Sequence, residues 1–169
     1  MLRALTILGL DPGLRNLGWG VVRAENNRLT YVASGTVATR SNEAMAERLK
    51  SLHEQLTEII AAQSPCAAAV EETFVNADMR AALKLAQARA IALLVPAQAG
   101  LQVAEYAPNL IKKSVVGSGH ASKEQIRVMV CHLLPGCAPR SDHEADALAV
   151  AIAHAHLSQT NARLSEALR

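Results

Sequence analysis

Acidic residues at the boundaries of apolar segments are the side chains most suited to chemistry in this sequence. Asp11 closes an apolar run that is typical of a strand buried on both faces. Glu71 and Glu72 directly follow a second short apolar run, and Asp146 lies one turn into a predicted helix. A carboxylate at the end of a buried strand costs stability unless something satisfies it. Purely structural explanations exist, because Asp-Pro-Gly often starts a turn and acids are favoured in the first turn of a helix.

The order of the elements brings the strand-end acids together. The strand before Glu71 follows a helical crossover, so it is predicted to lie parallel to the first strand. The C-terminal ends of parallel neighbours meet at one edge of a sheet, which is where ligands bind in open α/β sheets. Side chains alternate along a strand, so only one of Glu71 and Glu72 shares the face of Asp11. Periodicity alone does not choose between them.

A compact cluster of carboxylates requires a counter-charge, because like charges repel and shift each other's pKa. The sequence places no dense set of Arg or Lys beside these acids. A hard divalent cation with oxygen ligands, Mg²⁺ or Mn²⁺, is the natural alternative. Two such ions about 4 Å apart activate water and stabilise the leaving oxygen of a phosphodiester. The acids therefore predict metal-dependent phosphodiester hydrolysis.

The elements that position the acids follow from periodicity and turn residues. Three strands with short links predict an antiparallel meander, and glycines at 18 and 20 in its second strand allow another backbone or a ligand to approach closely. Two Ser-x-x-Glu/Gln capping boxes, at residues 122–125 and 141–144, predict helix starts. The predicted strands are at about 4–11, 17–22, 29–37, 66–70 and 101–106. The predicted helices are at about 43–63, with Ser41 or Asn42 as the cap, and at 77–98, 108–116, 122–134 and 145–156.

Composition bounds the class of protein. The 169 residues predict one domain, residues 1–157, followed by a polar C-terminal tail at 158–169. Half the residues are apolar, which predicts a globular fold, while a net charge of +2 is too small to indicate a nucleic-acid binder. Three cysteines without Cys-x-x-Cys spacing indicate reduced thiols. With no signal-peptide pattern and no apolar run of 18 residues, we expect a cytoplasmic protein without a membrane partner.

The whole pattern strongly resembles the RuvC family of bacterial Holliday junction resolvases, which have a ribonuclease H-like fold. The resemblance covers residues 5–157, and each motif is weak alone but specific in combination. The motifs that carry it are Gly-Leu-Asp-Pro-Gly at 9–13, Val-Glu-Glu-Thr-Phe at 70–74, Ala-Leu-Lys-Leu-Ala-Gln-Ala-Arg at 82–89, Lys-Lys-Ser-Val-Val-Gly at 112–117 and Ala-Asp-Ala-Leu-Ala at 145–149. It implies an α/β fold with a five-stranded mixed sheet, three antiparallel strands followed by parallel ones, flanked by helices.

The resemblance also implies a catalytic and metal-binding set. Asp11, Glu71 and Asp146 would bind the metals, two Mg²⁺ per active site with Mn²⁺ as a substitute, and Glu71 is selected over its neighbour. His143 stands where the family often has a further Asp. It would be a metal ligand or a base for the attacking water, and its alternative is a solvated residue of the first helical turn. A neutral imidazole suits Mn²⁺ better than Mg²⁺.

The implied substrate is a four-way DNA junction in recombination and repair. In the family the residue at Phe74 stacks on or wedges between bases, whereas its alternative is a core ring. Basic side chains would contact phosphates, although lone lysines are usually solvated. The candidates are Lys112, Lys113 and Lys123, with Arg80, Lys84 and Arg89 as weaker ones.

The expected assembly follows from the substrate. A junction with near two-fold symmetry needs two paired cuts, which a symmetric homodimer supplies. By resemblance, the branch-migration proteins RuvA and RuvB are further partners. Two other readings compete with this one: an ATP-binding protein of the actin and sugar-kinase class, and a junction-binding module without catalysis.

Overall fold

The protein is described here from a computed structural model that covers residues 4–73 and 78–167. Its strands are β1 (Leu5–Asp11), β2 (Asn16–Glu25), β3 (Arg28–Ala38), β4 (Ala67–Glu71) and β5 (Gln102–Tyr106). Its helices are α1 (Met45–Gln63), α2 (Met79–Gln98), α3 (Pro108–Val116), α4 (Lys123–Leu133) and α5 (Asp142–Ala167). Within the described ranges, none of these helices has the length and apolar character needed to span a bilayer.

The five strands form one mixed sheet in the order β3-β2-β1-β4-β5. β1 to β3 pair antiparallel as a meander, and its second hairpin turns at Asn26, whose φ of 52° lies in the left-handed region that Asn tolerates. β4 pairs parallel with β1, and β5 pairs parallel with β4. The predicted mixed sheet is confirmed, and β1 and β4 end side by side at one edge.

Helices cover both faces of this sheet. Leu8 and Leu10 of β1 lie fully buried in a cluster that includes side chains of α1 and α2. Ile7 points to the other face and joins a cluster built with α3, α4 and α5. Because side chains alternate along a strand, this division also assigns Gly9 and Asp11 to the α5 face.

Glycines on that face let α5 lie almost directly on the sheet. A Cβ added to Gly9 would come within 2.1 Å of the Ala147 carbonyl oxygen. A Cβ on Gly18 would come within 2.0 Å of the His143 carbonyl oxygen. The close approach predicted at Gly18 is therefore made by the backbone of α5, and it lets the start of this helix lie above the end of β1.

Three helices differ in their bounds from the sequence prediction. α1 begins at Met45 after Ala44, without the side-chain cap expected from Ser41 or Asn42. α2 begins at Met79, because the Asp78 side chain accepts hydrogen bonds from the backbone N–H groups of Arg80 and Ala81. α5 begins at Asp142 and continues to Ala167, well past the predicted end near residue 156. The segment expected to be a polar tail contains no Gly or Pro, so nothing in it stops the helix.

Candidate active site

Asp11 and Glu71 meet at the edge of the sheet where β1 and β4 end. Leu10 pairs with Val70 in the parallel register, so the next residues of the two strands are neighbours. Their carboxyl groups lie close enough to shift each other's pKa. Glu72 lies beyond the strand, and its backbone N–H donates to the Tyr106 carbonyl. The choice between the two glutamates, which periodicity left open, is thus decided by geometry in favour of Glu71.

The first turn of α5 adds the other two predicted side chains. His143 Nδ1 lies 2.8 Å from Asp11 Oδ2. The His143 side chain is 42% exposed and that of Asp11 15%, so the imidazole covers the acid and still reaches solvent. Asp146 follows one turn later and interacts electrostatically with Asp11. Residues from β1, β4 and α5 therefore converge, although they are far apart in the sequence.

Burial raises the pKa of all three carboxyl groups, and repulsion from neighbouring acids adds to it at Glu71 and Asp146. The pKa of Glu71 rises to about 8, first through burial and then through the charges of Asp11 and Asp146. Burial and the charge of Asp11 raise the pKa of Asp146 to about 6. The pKa of Asp11 is raised by burial, against the opposing effect of its hydrogen bond with His143. Such a cluster holds protons at neutral pH until a cation replaces them.

Two of the predicted DNA-binding lysines border the acids. Lys112 partly offsets the raised pKa of Glu71, and Lys123 does the same for Asp11 and Asp146. Lys123 Nζ also lies 3.9 Å from a carboxyl oxygen of Asp142. These lysines come from α3 and α4, so they give the acidic site a basic margin.

The other predicted contacts lie elsewhere. Lys113 is exposed on α3, and Arg80 and Lys84 are exposed on α2. Arg89 is engaged with Glu105 in an ion pair, which makes it a poor candidate for binding phosphate. Phe74 lies outside the described residues.

The sequence reasoning missed one buried residue that supports the site. The Arg48 side chain is 8% exposed, and its guanidinium donates to Thr39 Oγ1 at 2.9 Å and to the Leu14 carbonyl at 3.4 Å. These bonds fix the turn that follows Asp11. A signal existed, because Arg48 precedes Leu52 and Leu56 at four-residue spacing on the buried face of α1.

The donor set suits a hard cation, because it consists of three carboxylates and one imidazole. Within residues 4–73 and 78–167, however, no three His, Cys, Asp or Glu side chains form a ready-made coordination cage. Asp11 Oδ2 is engaged with His143 Nδ1, so a cation that used this oxygen would compete with the imidazole.

A mixed sheet in this order, with acids at the ends of two adjacent parallel strands and a helix laid across them, defines a protein of the ribonuclease H-like class. Comparison with known proteins narrows the class. The model of the family described as crossover junction endodeoxyribonuclease RuvC matches residues 7–154. The chain therefore belongs to the RuvC family.

Individual relatives agree with this assignment. A crossover junction endodeoxyribonuclease RuvC of Afipia carboxidovorans is 56% identical over 158 residues, which cover 94% of this chain and 92% of the relative. The structure of T. thermophilus RuvC in complex with a Holliday junction substrate is 34% identical, with a TM-score of 0.87 over 93% of this chain and 96% of that one.

A more distant structure shares only the fold. The yeast mitochondrial Holliday junction resolvase Ydc2 is 10% identical, with a TM-score of 0.69 over 93% of this chain and 80% of that one. The sequence-based predictions of the fold, the family and the nuclease class are confirmed, and the actin-like ATP-binding alternative is set aside.

Proposed function

We propose that this protein is a metal-dependent endonuclease that cuts four-way DNA junctions by phosphodiester hydrolysis. The observation that carries the proposal is the convergence of Asp11, Glu71, His143 and Asp146 in a chain of the RuvC family. The crowding of the carboxylates supports a role in binding cations. The pKa of Glu71 is raised to about 8 by burial and by the charges of Asp11 and Asp146, and carboxyl groups perturbed in this way are concentrated at functional sites.

In this proposal the three carboxylates hold Mg²⁺, two ions per site, with Mn²⁺ as a substitute. Bound divalent cations supply charge stabilisation at the reacting phosphate and lower the pKa of water. The carboxylates fit a divalent cation in their charge and in the type of their donor atoms. The task of this chain is then to release the proton held at Glu71 and to keep the three acids at one point.

His143 acts as a base in this scheme. Its Nδ1 faces Asp11 Oδ2, so the Nδ1–H tautomer donates to the carboxylate and leaves Nε2 free to accept a proton from the attacking water. Asp at this position would still accept a proton, so we expect His143→Asp to keep much of the nicking rate. The measurement compares His143→Asp with Asp146→Asn, in Mg²⁺ and in Mn²⁺. Near-full activity of Asp146→Asn would contradict the assignment of the acids.

Basic residues beside the acids and farther from them are proposed to contact DNA. Lys112 and Lys123, which already interact electrostatically with the acids, would neutralise phosphates that flank the cut. Lys113, Arg80 and Lys84 would contact phosphates farther away. Phe74 follows Glu71 closely in the chain, so we propose that it stacks on bases at the centre of the junction.

We also propose that the protein acts as a homodimer, since two symmetric cuts need two matching sites. An exposed apolar stripe on α2 supports a partner there, because Met79 is 77% exposed, Leu83 66% and Leu94 48%. Sedimentation equilibrium should give a dimer, and Leu83→Glu should give a monomer that still binds divalent cations. RuvA and RuvB are proposed to deliver the junction, and the cytoplasm, where chromosomal DNA lies, is the proposed location.

The direct test is incubation with a synthetic four-way junction in Mg²⁺, with a linear duplex of the same sequence as control. We expect paired nicks in strands of like polarity in the junction alone, and complete suppression by EDTA that excess Mg²⁺ reverses. Tight junction binding without nicking in any divalent cation would favour the non-catalytic module instead.

A further inference from the structure

A polar network ties the start of α5 to β3, and no step proposed above uses it. We call this network the α5 clamp; its residues are Tyr31, Ser34 and Thr36 of β3, Ser141 just before α5, and Glu144 in the first turn of α5. Thr36 and Ser141 share a hydrogen bond between their hydroxyls at 3.1 Å. The clamp therefore connects the edge of the sheet with the turn that presents His143.

Glu144 is the centre of the clamp. It is 7% exposed and more buried than Asp142 and Asp146, the other acids in the first two turns of α5. The Ser34 hydroxyl donates to its Oε2 at 3.2 Å, and the backbone N–H of Arg140 donates to the same oxygen at 3.3 Å. The Tyr31 hydroxyl lies 3.1 Å from Ser34 Oγ and can donate to it. One carboxyl oxygen thus joins β3 to the segment that leads into α5.

This arrangement replaces the capping box that the sequence predicts at residues 141–144. The Ser141 hydroxyl accepts the backbone N–H of Glu144 at 3.2 Å, which is one half of such a box. In the other half the Glu144 carboxylate would accept the N–H of Ser141, but here it accepts from Ser34 and Arg140. Burying a carboxylate costs stability, and an exposed acid would cap the helix equally well. What Glu144 gains from its buried position is the long-range hydrogen bond to Ser34 of β3.

The place of His143 depends on such an attachment. Gly18 permits the backbone of His143 to approach β2, but the absence of a Cβ attracts nothing. The clamp supplies directional hydrogen bonds on the residue next to His143, on the side away from Asp11. We infer that Glu144 is a positioning residue, which holds His143 at hydrogen-bond distance from Asp11 through its bond to Ser34. The inference rests on the proposed nuclease function.

The first test compares Glu144→Gln with Glu144→Leu. Gln keeps an acceptor oxygen for both bonds, while Leu removes it and keeps a similar volume. Glu144 borders a cavity of about 580 Å³, so overpacking by Leu is not expected. We expect Glu144→Leu to lower the single-turnover nicking rate on the order of tenfold to 100-fold with an unchanged junction Kd in Ca²⁺, and Glu144→Gln to restore most of the rate. Equal rates for Leu and wild type would overturn the inference.

The second test asks whether the effect passes through His143. In a His143→Ala background, Glu144→Leu should cost little further rate, because the group that it positions is already absent. The same full loss in both backgrounds would show that Glu144 acts by another route. Ser34→Ala should reproduce part of the loss seen in Glu144→Leu and should add nothing to it.

A matched control separates positioning from loss of stability. Ile60→Ala, on α1 at the opposite face of the sheet, lowers Tm without touching the clamp. If it slowed nicking as much as Glu144→Leu at equal loss of Tm, the clamp would be structural only. A wild-type protein that does not nick would contradict the proposed function instead. Amide hydrogen exchange, which needs no activity, should show faster exchange in the first turn of α5 for Glu144→Leu and not for Ile60→Ala.

Discussion

The two faces of the sheet pack their helices in different ways. Against α1 and α2, the sheet presents large side chains such as Leu8 and Leu10, which are fully buried with Leu52 and Leu56. Against α5 it also buries large side chains such as Ile7 and Val22, but at Gly9 and Gly18 the backbone of the helix comes into direct contact with the sheet. Among the described residues, only the α5 face therefore combines side-chain packing with close contact between backbones.

The two kinds of packing differ in how far they can adapt to a change. Large buried side chains contribute most of the hydrophobic free energy, and they adapt to each other when one changes. Backbones in contact leave little freedom to shift, which suits groups that must stay within about 0.5 Å of a working geometry. Asp11, Glu71, His143 and Asp146 all lie on the close-contact side. Changes on the α1–α2 face should therefore lower stability without slowing nicking, whereas changes at the contact between α5 and the sheet should slow nicking.

The largest effect is expected from Asp146→Asn. Loss of several kcal/mol of charge stabilisation at the reacting phosphate corresponds to at least about a 1000-fold lower nicking rate. Stability should not fall, because the pKa of Asp146 is raised to about 6 and its ionised form opposes folding at neutral pH. Single-turnover nicking measures the loss of rate, and thermal unfolding in EDTA measures the stability. A lower Tm in EDTA would contradict the division between the two faces.

The next largest effect is expected from Gly9→Ala. The added Cβ would meet the Ala147 carbonyl oxygen at 2.1 Å, and because that atom is backbone, α5 must move as a whole. Overpacking costs about 1–3 kcal/mol, occasionally more, and here the displacement carries His143 and Asp146 with it. We expect a nicking rate far below that of the wild type even at temperatures where the variant is fully folded.

Leu56→Ala is the matched control on the α1–α2 face. It should cost about 2–5 kcal/mol of unfolding free energy, measured with urea, yet leave nicking close to that of the wild type while the protein is folded. Equal loss of nicking in Gly9→Ala and Leu56→Ala, at equal folded fractions, would show that the two faces do not differ in this way.

Much of the fold and of the candidate site could be predicted from the sequence. Strand-end acids and the order of the elements were enough to expect Asp11 beside a glutamate at one edge, because parallel strands end together. Periodicity could not choose Glu71, since the choice depends on which side of β4 faces α5. The clamp could not be predicted either. The Ser-x-x-Glu pattern at 141–144 is compatible both with a local capping box and with the long-range bond between Glu144 and Ser34. Local patterns were enough to place the helices. Which donors a side chain such as Glu144 bonds to depends on the residues that the folded chain brings next to it.

The pH dependence of stability should come from the α5 face. The ordinary pKa of Glu71 is 4.5 and its folded value is about 8, so between these values the folded protein binds more protons than the unfolded chain. The metal-free protein should therefore lose stability as pH rises from about 5 to about 8. Divalent cations compete with these protons, so the gain in Tm from Mg²⁺ should grow over the same range. Melting curves in EDTA and in Mg²⁺ measure both trends. Glu71→Gln should flatten the EDTA trend, and an unchanged slope in that variant would place the titrating groups elsewhere.

The smallest effect is expected from single lysines. Lys123, on the α5 face, interacts electrostatically with Asp11 and Asp146, so it would neutralise a phosphate close to the cut. Lys123→Ala should reduce the slope of log Kd against log salt by about 0.9, the value for one phosphate contact. Lys50, exposed on α1 and 3.9 Å from Glu54, is the matched control and should leave the slope unchanged. Junction binding measured by fluorescence anisotropy over a salt series gives both slopes in Ca²⁺. If Lys50→Ala changed the slope as much as Lys123→Ala, DNA would contact both faces, and the separation would hold for catalysis but not for binding.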